Sequence, residues 1–517
     1  MSAVTLDDPG PAADKAAGVR SFNRVLALAA TLTAAMMQTI DATIVNVALP
    51  QMQGQLGSTT DEIGWVLTSY IVATAVVMPL SGYLTDRFGQ KRLLIGSIAG
   101  FIASSLLCGT ALNVNELVIF RLLQGISGAT MGPIAQAIIL QLYTAEERPK
   151  AMAYAGIGMM VGPLMGPTLG GWITDLWSWR WAFFINVPFG LAAIALALRH
   201  IPDSARQPRS MDWVGFALLG LAVAAGQYTL DRGNRLDWFE SSLIVTTCAV
   251  AAAALLGFVV HSLRARAHPI FNFAIFRDWN YSAALITTTV VNFGMMGSMV
   301  IHPFLLQSVY GYPPMIAGEL VLPRGVALIF GMATISRLTR VVDPRAMLAF
   351  GMIVMAIGQL FMSQYGPQVG IWSLVWPGFV QGFGTAFAMV PLTIAAYTTL
   401  AREHVAEAAG MYNLMRNLGA AIGVATTMTV LERHTQIGWQ HLGGQITAVS
   451  PAVSDYLGGM NLPATDPMAL QIMAREVGQQ AQLGAIVDSF KLVAVMNLVG
   501  LPLLFCFRFP LLKPSPG

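Results

Sequence analysis

The sequence predicts an all-α membrane protein, and three observations carry that reading. Only 11 % of the 517 residues are charged and 55 % are hydrophobic, whereas an ordinary soluble chain is about a quarter charged. Mean hydropathy is +0.62. The apolar residues fall in long runs rather than at amphipathic spacing, and about 20 of them suffice to span a hydrocarbon core. Backbone polar groups in lipid must pair internally, so each run reads as a helix. The short alternating segments of a β-barrel do not occur.

Fourteen runs qualify: 25–49, 62–84, 92–112, 115–142, 151–173, 181–199, 212–230, 241–261, 280–308, 314–335, 346–364, 371–399, 408–431 and 488–509. With the first end inside, the inner connections hold 20 of the 29 lysines and arginines and the outer ones only five. That bias places both ends in the cytoplasm. Residues 1–24 read as a polar cytoplasmic tail, not a cleavable signal. Two six-helix halves follow, 25–199 and 278–517, separated by a linker at 200–277 that carries two inserted helices. One connection is long: about 432–487, on the outer side, rich in Gln, Gly, Ala and Ser. Cys108, Cys248 and Cys506 lie in apolar runs and form neither a disulfide framework nor a metal spacing.

The halves repeat weakly. "LLQGISGATMGPI" at 122–134 is similar to "FVQGFGTAFAMVPL" at 379–392, and Pro50 with Gly57 is echoed by Pro303 with Gly311. Duplicated halves suit a transporter that rocks around a central site.

Three motifs carry chemistry. "GYLTDRFGQKR" joins the second and third spans with Gly82, Asp86, Arg87, Gly89, Lys91 and Arg92. Glycines permit the tight turn, and Asp86 can pair with a base or a helix N-terminus, a latch for one gate state. "RLLQGISGA" puts Arg121, Gln124 and Gly125 in the fourth span, where an arginine is costly and points to function. "GIGMMVGPLMGPTLGG" sets Gly158, Gly162, Pro163, Gly166, Pro167, Gly170 and Gly171 in the fifth, where fourfold small-residue spacing brings helices close. In order, these resemble the signature loop, the proton-coupling motif and the antiporter motif of the major facilitator superfamily. With "IDATIVNVALP" at 40–50, "WRWAFFINVP" at 179–188 and "LDRGNRLDWF" at 230–239, the chain resembles the fourteen-helix drug:proton antiporters of the EmrB/QacA family. The 230–239 segment and the long outer connection look closest to the Emr type, the inner-membrane subunit of tripartite exporters. That resemblance implies a major facilitator fold, a periplasmic membrane-fusion adaptor and an outer-membrane channel as partners, and the proton gradient as energy source with no cofactor.

Asp41 is the lone carboxylate of the first span. Burial disfavours the charged form of a carboxylate, the property a proton carrier needs. At 1.5 Å per residue, Asp41 lies about 12 Å and Arg121 about 9 Å below the outer end, so the two share a depth. A second charged cluster falls in the C-terminal half: His302, Glu319, Arg324, Arg416 and, from the repeat, Gln381. Arg324 is about 15 Å and Glu319 about 7 Å along the tenth span. Five residues apart, they do not stack on one face, so at least one finds its partner on another helix or in the substrate. The many methionines and aromatics suit varied apolar ligands wherever they line a cavity.

The leading reading is a proton-coupled antiporter exporting drugs or other small amphipathic toxins. The alternatives are a dedicated exporter of one metabolite, such as a siderophore, fatty acid or secondary metabolite, and a non-transporting membrane scaffold or sensor. No nucleophile–base pair, metal cluster, nucleotide loop or nucleic-acid signature points to an enzyme, an ATP-driven pump or a nucleic-acid partner.

Overall fold

A computed structural model describes residues 11–144, 147–204, 206, 211–264, 273–338, 342–400, 405–445 and 466–507. The N-terminal half contains α1 (Pro11–Leu56), α2 (Thr60–Val77), α3 (Ser81–Phe88), α4 (Gln90–Thr110), α5 (Val114–Gly128), α6 (Met131–Leu142), α7 (Arg148–Leu176), α8 (Trp181–Phe184) and α9 (Asn186–His200). The inserted pair is α10 (Trp213–Arg232) and α11 (Ser242–Arg264). The C-terminal half contains α12 (Trp279–Phe304), α13 (Pro314–Leu338), α14 (Pro344–Met362), α15 (Ile371–Thr398), α16 (Val405–Gln445) and α17 (Pro467–Val499). No strand occurs among the described residues.

Thirteen segments are long and apolar enough to cross a membrane. They do not include α7, which has 29 residues, about 43 Å of helix, and packs along α1. Some spans are broken where the sequence demands it. Pro79 falls in a 3-10 turn at Met78–Leu80 that joins α2 to α3. Pro303 is followed by a π-turn at Leu305–Val309 that absorbs the displaced hydrogen bonds. The repeat appears in the backbone: Gly57 and Gly311, just past the first helix of each half, both take left-handed φ values, +61° and +70°.

The halves meet toward one end of the bundle, the basic end that holds the 82–92 connection. Asn413 Nδ2 donates to Gln136 Oε1 at 2.8 Å, and Asn417 Nδ2 reaches Met78 Sδ at 3.6 Å. A Cβ at Gly156 of α7 would meet Met332 of α13 at 2.5 Å, and one at Gly410 of α16 would lie 3.4 Å from the Met78 carbonyl. Between the halves sits a cavity of about 340 Å³.

The inserted pair docks on α2 at the opposite end. Arg232 stacks over Trp65, 4.9 Å from its centroid, Trp65 stacks on Tyr228, and Thr68 Oγ1 donates to Asp231. Trp238 Nε1 donates to Thr429 Oγ1 of α16 at 2.9 Å, so "LDRGNRLDWF" ties the pair to both halves.

The predicted outer connection at 432–487 is helical at both flanks. α16 runs on to Gln445 and α17 begins at Pro467, capped by Asp466. The flanks pack as a hairpin: Gly438 against Ala481, Gly478 against Trp439, and His434 Nδ1 on Asp488 Oδ2 at 2.9 Å. Gln and Ala are good helix formers, but flanks this polar have too little hydropathy to read as spans. Their contacts with each other hold them instead.

Candidate functional site

The glycines of α5 place its arginine. A Cβ at Gly125 would lie 2.6 Å from the Tyr70 carbonyl of α2, and one at Gly128 would lie 3.0 Å from the Phe101 ring of α4. Such contacts draw α5 into the groove between those helices, so Arg121, one turn before Gly125, enters the bundle beside α2. Its Nε donates to the Val66 carbonyl at 3.2 Å and its guanidinium lies 4.1 Å from the Tyr70 ring centroid.

Asp41 meets it there. Arg121 Nη1 donates to Asp41 Oδ2 at 2.5 Å, and both side chains are wholly buried. Asp41 Oδ1 accepts from Gln124 Nε2 at 2.9 Å and from Asn186 Nδ2 at 2.8 Å. Both amides also donate to Ser105 Oγ, which itself donates to the Phe183 carbonyl. Gln124 Oε1 accepts from Arg121 Nη1 at 2.8 Å. Three side-chain donors thus converge on one buried carboxylate. Asn186 and Ser105 were not among the sequence candidates, although Asn186 lies inside the "WRWAFFINVP" segment.

The pair touches the cavity wall from behind. Thr39, Ala42 and Thr43 of α1 line the cavity on either side of Asp41 in sequence, while Asp41 itself turns toward α5. On another face of α1 lies the glycine stripe of α7: Gly162 abuts Thr39, Gly166 abuts Thr43 and Gly170 abuts Ile44, with Thr43 Oγ1 donating to the Gly162 carbonyl at 3.1 Å. Gly158 lies near Leu32 and Met36, whereas Gly171 faces open space. Pro163 and Pro167 fall within α7, and their side chains lie outside the described residues.

Arg121→Lys should retain a fraction of export and Arg121→Ala none. Lysine keeps a charge for Asp41 but loses the Val66 bond and the planar stack on Tyr70. Alanine strands a buried carboxylate, a loss of about 3–5 kcal/mol. Dye efflux and thermal unfolding of both purified variants check the order; equal, wild-type efflux would make Arg121 a structural residue only.

At the basic end, Gly89 makes a left-handed turn between α3 and α4, with φ +83°. The Gln90 amide donates to Ser204 Oγ at 2.8 Å. Gly82 is buried, Asp86 half-buried and engaged, and Arg87 Nη1 donates to Tyr83 Oη at 2.7 Å. Lys91 and Arg92 border a shallow recess with Asp203 and Arg206.

Of the C-terminal candidates, Glu319 and Arg416 stand apart from His302 and Arg324, which both approach Gly378. Arg416 lines the cavity beside Tyr412. His302 is buried between Tyr365 and Phe490. Arg324 Nη2 donates to the Met295 carbonyl at 3.3 Å, and Gln381 Oε1 accepts from Ser298 Oγ at 3.1 Å. Glu319 is exposed on α13 and forms no ion pair with Arg324. Five methionines, Met295, Met296, Met299, Met332 and Met389, line the cavity. Among the described residues no His, Cys, Asp and Glu cluster could hold a metal ion.

Comparison with known proteins points the same way. The profile of the Major Facilitator Superfamily matches residues 31–424. The Fatty acid resistance protein FarB of Neisseria gonorrhoeae is 31 % identical over 480 residues, 92 % of this chain and 94 % of that protein. The Multidrug export protein EmrB of Escherichia coli (strain K12) is 32 % identical over 483 residues, again 92 % and 94 %. The Multidrug resistance protein B homolog of Mycobacterium tuberculosis is 30 % identical over 87 % of this chain and 83 % of its own. The crystal structure of the human organic anion transporter MFSD10 superposes with a TM-score of 0.62, at 13 % identity, over 93 % of this chain and 99 % of that one, and shares the fold.

Proposed function

As this chain belongs to the major facilitator superfamily and is a multi-pass membrane transporter, we infer that it exports small amphipathic compounds, drugs among them, in exchange for protons. One observation carries the proton coupling: the buried Asp41–Arg121 pair stands directly behind the α1 turn that walls the cavity. Protonating Asp41 releases Arg121, loosens α1 from α5 and changes the wall that faces the ligand. The cavity suits varied apolar bodies because methionine side chains adapt. Contacts between the halves at the basic end fit an outward-facing state of an alternating-access cycle.

The lysine and arginine bias supports a cytoplasmic basic end, with the chain in the bacterial inner membrane. The α16–α17 hairpin exposes Ile437, Trp439 and Leu442. It supports docking of a periplasmic adaptor leading to an outer-membrane channel. The alternative of a dedicated exporter has one observation in its favour, the relative named for fatty acid resistance.

The test uses inside-out vesicles carrying the protein. An imposed proton gradient should drive uptake of an amphipathic dye, and a protonophore should abolish it. Dye flux indifferent to the gradient would overturn the reading. A susceptibility panel in an efflux-deficient host separates the two substrate ranges: protection against many unrelated compounds supports multidrug export, against one class the dedicated exporter.

A further inference from the structure

The duplication shows what the C-terminal half has changed. Aligning the two repeat segments sets Gln381 where Gln124 stands, and so Gly378 where Arg121 stands. Aligning Pro303 with Pro50 sets Gly294 where Asp41 stands. Neither charge of the buried pair is thus kept at its repeat position; counting from Gly57 and Gly311 instead sets Met295 opposite Asp41. Over Gly294 lies a neutral amide: a Cβ there would be 2.4 Å from Asn497 Nδ2, which donates to Gln359 Oε1 at 2.8 Å. The guanidinium, however, is retained from a different helix. Arg324 of α13 has its Cβ 3.8 Å from the Cβ position at Gly378.

This arginine has no carboxylate among the described residues. Its Nη2 bonds the Met295 carbonyl, and its Nη1 is buried without a hydrogen-bond partner. Gln381, wholly buried, spends its Oε1 on Ser298 and leaves Nε2 without an acceptor. His302, 1 % exposed, has no partner at either ring nitrogen, and its Cε1 lies 3.7 Å from the same Gly378 position. His302 and Arg324 thus flank the Gly378 position, Gln381 lies one turn further along the same helix, and all three leave buried donors unsatisfied, which is costly. Arg324 bonds the main chain of Met295, one of the methionines that border the cavity, and Arg416 adds a further positive charge to the cavity wall.

We propose that Arg324, Gln381 and His302 form a headgroup site for a carboxylate, taking the acidic end of an amphipathic substrate whose apolar body lies in the methionine-lined cavity. The N-terminal half carries its own carboxylate for the proton; in the C-terminal half the ligand brings it. The guanidinium fork and the Gln381 amide suit a planar two-oxygen acceptor. The proposal rests on the export reading for its ligand and deepens it.

The probe is a fluorescent dansylamino-undecanoic acid, compared with its uncharged methyl ester, binding to full-length protein in lipid nanodiscs at one pH throughout. Wild type should prefer the acid by about tenfold or more, the worth of one charge-assisted pair. Arg324→Gln should bring the acid down to the ester's affinity and leave the ester unchanged. Gln381→Leu should lose part of the preference, and it carries the test if Arg324→Gln fails to fold. An acid preference that survives in the folded variants, or an equal loss of acid and ester, overturns the site. Complete displacement of the acid by millimolar chloride would assign the donors to a free inorganic anion and overturn the headgroup role. Since no gradient is present, lost discrimination refutes only this site, while discrimination without gradient-driven flux refutes only proton exchange.

Discussion

Asp41→Asn is expected to leave a folded protein that no longer couples transport to protons. Asparagine keeps the shape, and Gln124 and Asn186 still have an oxygen to bond. Arg121, by contrast, loses the carboxylate that pairs with it among the described residues. A charge-assisted hydrogen bond contributes about 1.5–3 kcal/mol, so a measurable drop in thermal stability accompanies the loss. Gradient-driven dye flux should fall by about two orders of magnitude or more, because the variant has no group at this position to carry the proton through the cycle. A double variant separates the two effects: Asp41→Asn with Arg121→Gln removes both charges, and should recover stability without recovering transport. Drug-evoked proton movement that persists in proteoliposomes of Asp41→Asn would remove Asp41 from the coupling step.

How much of this was legible beforehand follows from what helix geometry fixes. Depth along a helix is arithmetic, and a rise of 1.5 Å per residue puts Asp41 and Arg121 at one level from the sequence alone. Charge marked them, because an ionised group in an apolar run stands out. Asn186 and Ser105, neutral residues in the same kind of run, carry no such mark, yet they complete the shell of Asp41. Azimuth is the other blind spot. The spacing of Glu319 and Arg324 said only that they do not share a face; which one turns inward depends on how α13 packs against α12 and α15. The structure turns Arg324 in and leaves Glu319 exposed. The helical flanks at 432–445 and 467–487 escaped for a third reason: they are held by contacts with each other, and a single-chain hydropathy pattern does not register a partner.

The glycine stripe of α7 gives the second large effect. Gly162→Val should abolish export, while Gly171→Ala should leave it near wild type. At Gly162 an added Cβ would lie 2.3 Å from Thr39 Oγ1, 2.6 Å from Thr39 Cβ and 2.7 Å from the Thr39 carbonyl carbon. The last of these is main chain, so no rotamer change relieves it, and α1 must move away from α7. Overpacking of this kind costs about 1–3 kcal/mol in a close-packed interior. The functional loss should exceed the stability loss, because Thr39 is two residues before Asp41 and the Gly162 carbonyl bonds Thr43 two residues after it. A shift of α1 by even a few tenths of an ångström lengthens the 2.5 Å bond to Arg121 and disturbs the cavity wall at Ala42. Gly171 is the control on the same helix: nothing lies within 4 Å of its added Cβ, and alanine favours helix over glycine by about 1 kcal/mol. Efflux and unfolding temperature measured on both variants decide the matter. If Gly162→Val exports normally, or if Gly171→Ala is as damaging, the stripe does not act by holding α1 against α7.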